Sequence, residues 1–210
     1  MIADVALDFL ARGGKKLRPR LCRAVFARCG GKGDLSPIET AVECFHKASL
    51  VHDDIQDGDE VRYGRPTVWK EHGVTVAIAV GDWLVAHGYL LIARSGFAAA
   101  SRLLEATATA HLRLCEGQGD DLLGVAGTAD YVSMCARKTG EAFALAAQLG
   151  AIAAGAEDEP YRRWGLAYGV LFQINDDIAD VGESDELRAL KAEWEARLAA
   201  VSRETGFSFP

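Results

Sequence analysis

Apolar residues return at intervals of three and four in residues 20–28, 38–50, 74–93, 98–116, 129–154 and 161–180. That period matches the turn of an amphipathic helix, and no strand-like alternation stands between hairpin turns. The pattern predicts an all-α fold. Ser36-Pro37-Ile38-Glu39 reads as a helix start, with Ser36 as the cap and Pro37 in the first turn. Residues 30–34, 117–127 and 155–159 gather glycine and polar residues and read as loops. Residues 184–203 carry Leu187, Leu190, Trp194, Leu198 and Val201 in one stripe, the pattern of an amphipathic helix packed on its own domain. A chain of 210 residues, 50% of them hydrophobic, can bury one sizeable core, so residues 1–210 are expected to be a single domain.

The formal charge of −7, without a basic block, argues against a nucleic-acid partner. Cys22, Cys29, Cys44, Cys115 and Cys135 are odd in number and scattered, with no CxxC pair. They read as reduced thiols in a cytoplasmic protein rather than as a zinc site or a disulfide framework. No uninterrupted apolar run approaches the ~20 residues that span a bilayer. Residues 1–12 lack a secretory pattern. The expectation is therefore a chain without an integral membrane segment.

Two acidic clusters interrupt the apolar periodicity. LVHDDIQD ends in Asp53, Asp54 and Asp57, and LFQINDDIAD ends in Asp176, Asp177 and Asp180. On a helix, Asp53 and Asp57 share one face, as do Asp176 and Asp180. Like charges at this spacing repel, so each cluster costs helix stability unless a cation neutralises it. Hard carboxylate oxygens that leave room for water and phosphate suit Mg²⁺, and several Mg²⁺ ions could bind a diphosphate between such clusters. Basic residues complete that chemistry. GGKKLRP places Lys15 and Arg18 at a helix start, Arg62 and Arg65 flank Gly64, and Lys138-Thr139 interrupts a small, apolar helix.

With these features in place, the chain resembles the trans-isoprenyl diphosphate synthases of the polyprenyl synthetase family. The matching stretches are GGKKLRP, ECFHKASLVHDDIQDGDEVRYGRPT, GDWLVAHGY, CEGQ, ARKTGEAF and GVLFQINDDIAD, in the family's order across residues 13–180. The resemblance implies an isoprenoid-synthase helical bundle around a central cavity, usually a homodimer. It implies that Asp53, Asp54, Asp57, Asp176, Asp177 and Asp180 hold Mg²⁺ on an allylic diphosphate. Arg62, Lys138, Thr139 and Gln173 match positions that contact the same diphosphate, and Gly14, Lys15, Arg18 and His46 match positions that bind isopentenyl diphosphate. The implied activity is a prenyltransferase condensing the two, with a product near the C20 geranylgeranyl compound. Ala48 and Ser49, small residues five and four before Asp53, and Phe45, three further back from Ala48, are the chain-length candidates.

The sequence departs from the family in three respects. Where the family has two adjacent arginines after the first cluster, this chain has Arg62-Tyr63, with Arg65 beyond as a partial substitute. Beyond Asp180 a lysine-bearing loop gives way to VGESDELRALKAEWEARL. The chain also begins almost at GGKKLRP, so the domain is expected to be incomplete at both ends relative to the family. Tyr63 and the missing lysine loop favour an alternative, a class I terpene synthase or cyclase that needs no isopentenyl diphosphate. Retained Gly14, Lys15, Arg18 and His46 oppose it. A non-catalytic subunit of a heteromeric synthase would be expected to lose aspartates that are all present here.

Overall fold

The computed structural model describes residues 1–124 and 128–210. They are mostly helical, with one short hairpin and irregular connections between the helices. In chain order the elements are α1 (Ile2–Ala11), α2 (Leu17–Arg28), α3 (Ser36–Asp57), β1 (Val61–Arg62), β2 (Arg65–Pro66), α4 (Val68–His72), α5 (Val74–Ala93), α6 (Ala100–Leu123), α7 (Thr128–Cys135), a π-helical turn (Ala136–Gly140), α8 (Glu141–Ala153), α9 (Glu159–Val181) and α10 (Asp185–Thr205). The chain forms two compact units, residues 1–20 with 34–100 and residues 21–33 with 101–210.

In the first unit α3 lies antiparallel to α5, and glycine sets their separation. A Cβ on Gly88 would come within 2.4 Å of the Phe45 ring, and one on Gly81 within 2.1 Å of the His52 ring. Phe45 and His52, two turns apart on α3, thus fill holes two turns apart on α5. Ala48, Val51, Val80 and Leu84 join Ala6 and Phe9 of α1 in the core behind them. Helix α1 was not expected, although Ile2, Val5, Phe9 and Leu10 carry helical spacing into that core. Among the described residues one helix, α5, is long and apolar enough to cross a membrane by length and composition alone. It carries Asp82, is one-third buried and packs against α3 and α1.

The second unit is built on α8 and α9, again brought together by glycine. A Cβ on Gly165 would meet the Phe143 carbonyl oxygen at 2.5 Å, and one on Gly169 the Gly140 Cα at 2.8 Å. Helix α10 lays Leu190, Trp194 and Leu198 on Ala167, Val170 and Ile174 of α9, so the terminal stripe packs as expected. Its start is capped by Ser184, whose Oγ accepts from the Leu187 amide at 3.1 Å.

Three local expectations are corrected. Ser36 is the first helical residue rather than the cap, and Asp34 Oδ1 accepts from its amide at 3.0 Å. The expected loop at 117–127 is helix through Leu123, with residues 125–127 outside those described. The 129–154 helix is broken by the π-helical turn.

Candidate functional site

In the first unit α3 ends at Asp57, where Gly58 turns left-handed at φ 72°. Asp53 is half-buried, Asp54 fully buried and Asp57 exposed. The following hairpin folds back on this helix end. Tyr63 and Gly64 both have positive φ, 54° and 72°, as a two-residue hairpin turn demands. The fold-back brings Arg62 Nε to Asp54 Oδ1, and Arg62 Nη2 to Asp59 Oδ2 at 3.2 Å. Asp54 Oδ2 is buried without a hydrogen-bond partner. Burial pushes the Asp54 carboxyl above the usual carboxylate range, and the Arg62 hydrogen bond pulls it back. A buried carboxylate with one oxygen unsatisfied is a donor set that suits a hard cation.

Gly14, Lys15 and Arg18 lie at the entry to α2, and His46 on α3 stands beside Arg18. Gly14 takes φ 104°, which only glycine adopts readily. Burial, then the charges of Arg18, Lys47 and Arg62, pushes the His46 imidazole down to about 2. His46 is therefore neutral, and Arg18 Nη1 is the donor toward its Nε2 across a long 3.5 Å. Next to His46 stands Lys47, which sequence reasoning missed and which is completely buried. Its Nζ donates to the carbonyls of Arg12 at 2.7 Å and Gly13 at 3.0 Å and lies 4.1 Å from the centroid of the Tyr63 ring. Arg65, the expected substitute for a second arginine, is ion-paired with Asp8 at 3.4 Å.

In the second unit the π-helical turn presents Arg137, Lys138 and Thr139. Such turns are common at functional sites because the extra residue swings side chains off the regular helical positions. Gly117 of α6 lets it approach: a Cβ there would lie 2.5 Å from the Lys138 amide nitrogen. Lys138 pairs with Asp121, and Arg137 with Asp120. Thr139 Oγ1 donates to Gln173 Oε1 at 2.7 Å, and Gln173 Nε2 donates to Asp177 Oδ1 at 2.8 Å. The other Asp177 oxygen accepts from the Tyr131 hydroxyl. Burial, reinforced by that hydrogen bond, raises the Tyr131 pKa, so the phenol stays protonated and donates. Asp176 and Asp180 are exposed on the same helix end.

The structure thus brings Asp54 to Arg62, Arg18 to His46, and Thr139 through Gln173 to Asp177. Asp120, Asp121 and Tyr131 were not foreseen. The acidic pair in CEGQGDD and a tyrosine two turns before Lys138 were the available signals. The chain-length candidates divide. Ala48 is buried in the α1–α3–α5 core, Phe45 packs edge-on against Tyr89 at 5.4 Å, and Ser49 is exposed. Among the described residues, no three His, Cys, Asp or Glu side chains converge to hold an ion unaided. Mg²⁺ does not require that, since it commonly takes one or two carboxylates and fills its shell with water and substrate phosphate.

A family model described as polyprenyl synthetase matches residues 1–189. The chain is 38% identical over 177 residues to the geranylgeranyl diphosphate synthase of Mycobacterium tuberculosis, covering 80% of this chain and 51% of that protein. It is 35% identical over 195 residues to the geranylfarnesyl diphosphate synthase of Aeropyrum pernix, covering 86% and 61%. A solved polyprenyl synthase from Caulobacter crescentus, complexed with calcium and isoprenyl diphosphate, matches with a TM-score of 0.80 at 32% identity, over 88% of this chain and 58% of that one. The chain spans 51%, 64% and 61% of the first three curated relatives it matches.

Proposed function

Since this chain belongs to the polyprenyl synthetase family, we propose that it is a trans-prenyltransferase joining isopentenyl diphosphate to an allylic prenyl diphosphate, with a product near geranylgeranyl diphosphate. The observation that carries the reading is the intact set of side chains in both units. All six aspartates end α3 and α9, Thr139, Gln173 and Asp177 form a hydrogen-bonded chain, and Lys138, adjacent to Thr139 in sequence, pairs with Asp121. Both relatives named above are prenyl diphosphate synthases by name, and the Caulobacter enzyme was solved with a divalent cation and an isoprenyl diphosphate.

Asp53, Asp54, Asp57, Asp176, Asp177 and Asp180 would hold Mg²⁺ for the allylic diphosphate. Bound there, Mg²⁺ would offset the negative charge that builds on the diphosphate as its allylic C–O bond breaks. Arg62, Lys138, Thr139 and Gln173 contact the same diphosphate. Lys138 and Arg62 are already paired with Asp121 and Asp54, so binding exchanges one anion for another and spares each cation burial alone. Gly14, Lys15, Arg18 and neutral His46 receive isopentenyl diphosphate, whose double bond attacks the allylic cation. A proton is then lost, and the released diphosphate is its acceptor, so no protein nucleophile is required. Residues 1–210 act as one isoprenoid-synthase domain, a reading supported by a family match that runs through both compact units. The proposed form is a cytoplasmic homodimer.

A class I terpene synthase is the second reading. Tyr63 favours it, as does the absence of a lysine-bearing loop between Val181 and Asp185, where α9 passes to α10. One incubation separates the two. With Mg²⁺ and farnesyl diphosphate, the prenyltransferase releases a C20 diphosphate only when isopentenyl diphosphate is added. A terpene synthase gives a hydrocarbon or alcohol without it, and a non-catalytic subunit gives neither.

A further inference from the structure

A lysine with no solvent exposure is unusual, and Lys47 is fully buried. Its surroundings account for the burial. Nζ donates to the Arg12 and Gly13 carbonyls and lies between the rings of Tyr63 at 4.1 Å and Phe9 at 5.4 Å. Glu43, one turn earlier on α3, is also buried and has an unsatisfied Oε2. Arg12 is fixed from its other end, donating to Asp8 at 2.8 Å and to the Pro66 carbonyl at 3.0 Å. The backbone entering Gly14, Lys15 and Arg18 is therefore held on both sides. Tyr63 lies over this arrangement. A Cβ on Gly13 would meet its ring at 3.1 Å, and it keeps this position although φ 54° is strained for a bulky residue.

We propose that Lys47 is a positioning residue that sets the Gly13–Arg18 loop for isopentenyl diphosphate, and that Tyr63 is its aromatic cover rather than a weakened anion ligand. The proposal rests on the prenyltransferase reading and assigns the local departure from Arg to Tyr a purpose within it. Lys47 reaches no solvent, so it acts through the loop and not on the substrate. An arginine at 63 would set a second cation beside Lys47 where the ring now lies.

Two measurements test it. Trypsin cleavage after the exposed Lys15 and Lys16, without substrate, should be several-fold faster in Lys47→Met than in the unmodified chain. In steady-state assays Lys47→Met should raise the KM for isopentenyl diphosphate roughly tenfold, the scale of a lost hydrogen bond from a charged donor. The KM for farnesyl diphosphate should change little. If Lys47→Met does not fold, the Tyr63 series decides. Tyr63→Phe keeps the ring and should behave as unmodified, while Tyr63→Leu and Tyr63→Arg should both raise the isopentenyl KM. A raised KM in Tyr63→Phe, or a lowered one in Tyr63→Arg, would show residue 63 acting on the diphosphate directly and overturn the proposal. So would unchanged cleavage and KM in Lys47→Met. Failure of the prenyltransferase reading looks different: the unmodified chain would then consume no isopentenyl diphosphate at all.

Discussion

Tyr131→Phe is the most economical probe of the second aspartate cluster, because it removes one oxygen and nothing else. That oxygen donates to Asp177 Oδ2, while Gln173 Nε2 holds Oδ1 at 2.8 Å. With both donors the carboxylate plane is fixed, and with one it can swing about the remaining bond. A hydrogen bond to a charged group contributes about 1.5–3 kcal/mol. Asp177 and Tyr131 are only half-buried, so water recovers part of this and the low end applies. About 1.5 kcal/mol is roughly a factor of ten in an equilibrium constant. Loss of a partner that orients a metal ligand typically costs about 10–100-fold in metal affinity, which brackets the same figure. The expected outcome is a roughly tenfold rise in the Mg²⁺ concentration giving half-maximal condensation, with turnover restored at saturating Mg²⁺. The assay is initial rate against free Mg²⁺ at fixed, saturating substrates, with circular dichroism as a check on folding. An unchanged Mg²⁺ requirement, or a loss of turnover that Mg²⁺ does not restore, would refute the view that Tyr131 orients a metal-binding carboxylate.

Asp53→Ala and Asp176→Ala should each cut turnover by orders of magnitude while folding survives, since each relieves like-charge repulsion at a helix end; near-normal rates in both would remove the aspartates from the reaction. Ala48→Phe should shorten the product toward the farnesyl compound and Phe45→Ala should lengthen it, as read from the product distribution. Thermal melts should also show costs of ~1–3 kcal/mol for overpacking at Ala48 and ~3–5 kcal/mol for truncating Phe45. Gly117→Ala should lower both Tm and turnover, because its Cβ would meet Lys138 backbone at 2.5 Å and drive the π-helical turn away from α6. Burial pushes His111 down to about 4 from 6.5, so the folded chain favours the neutral ring. That stability is present above 6.5 and is lost as pH falls toward 4. By pH 5 the loss is on the order of 2 kcal/mol. Urea midpoints at pH 7 and pH 5 should therefore differ less in His111→Asn than in the unmodified chain, and an equal difference would show that His111 does not titrate in this way.

What could be read in advance was what repeats or what carries charge. The stripe of Leu190, Trp194 and Leu198 and the aspartates at the ends of α3 and α9 are both local patterns, and the structure places them as the spacing requires. Glycine was the main source of error. Gly117, followed by Gly119 and Gly124, reads as turn chemistry, because a sequence does not distinguish a glycine that bends its own chain from one that admits a neighbour. Gly124 has φ 75° and follows the end of α6, whereas Gly117 is helical and serves only to let the π-helical turn come close.

The same limit explains why Lys47 was passed over and Tyr63 read as a deficit. In FHKASL a lysine beside His46 looks like one more surface charge, and Tyr63 is defined only by the arginine it replaces. Each has meaning through the other and through Arg12 and Gly13, which lie 35 and 34 positions from Lys47 in the chain. A one-for-one comparison with a family scores such a pair as a loss, although burying a cation under a ring and two carbonyls is a specific arrangement that arginine at 63 would disrupt. The side chains proposed to bind diphosphate are of fixed chemistry and appear in the sequence as motifs. The elements that set their positions are backbone approaches and buried pairs, whose partners are distant in sequence, and those became visible only once the chain was folded.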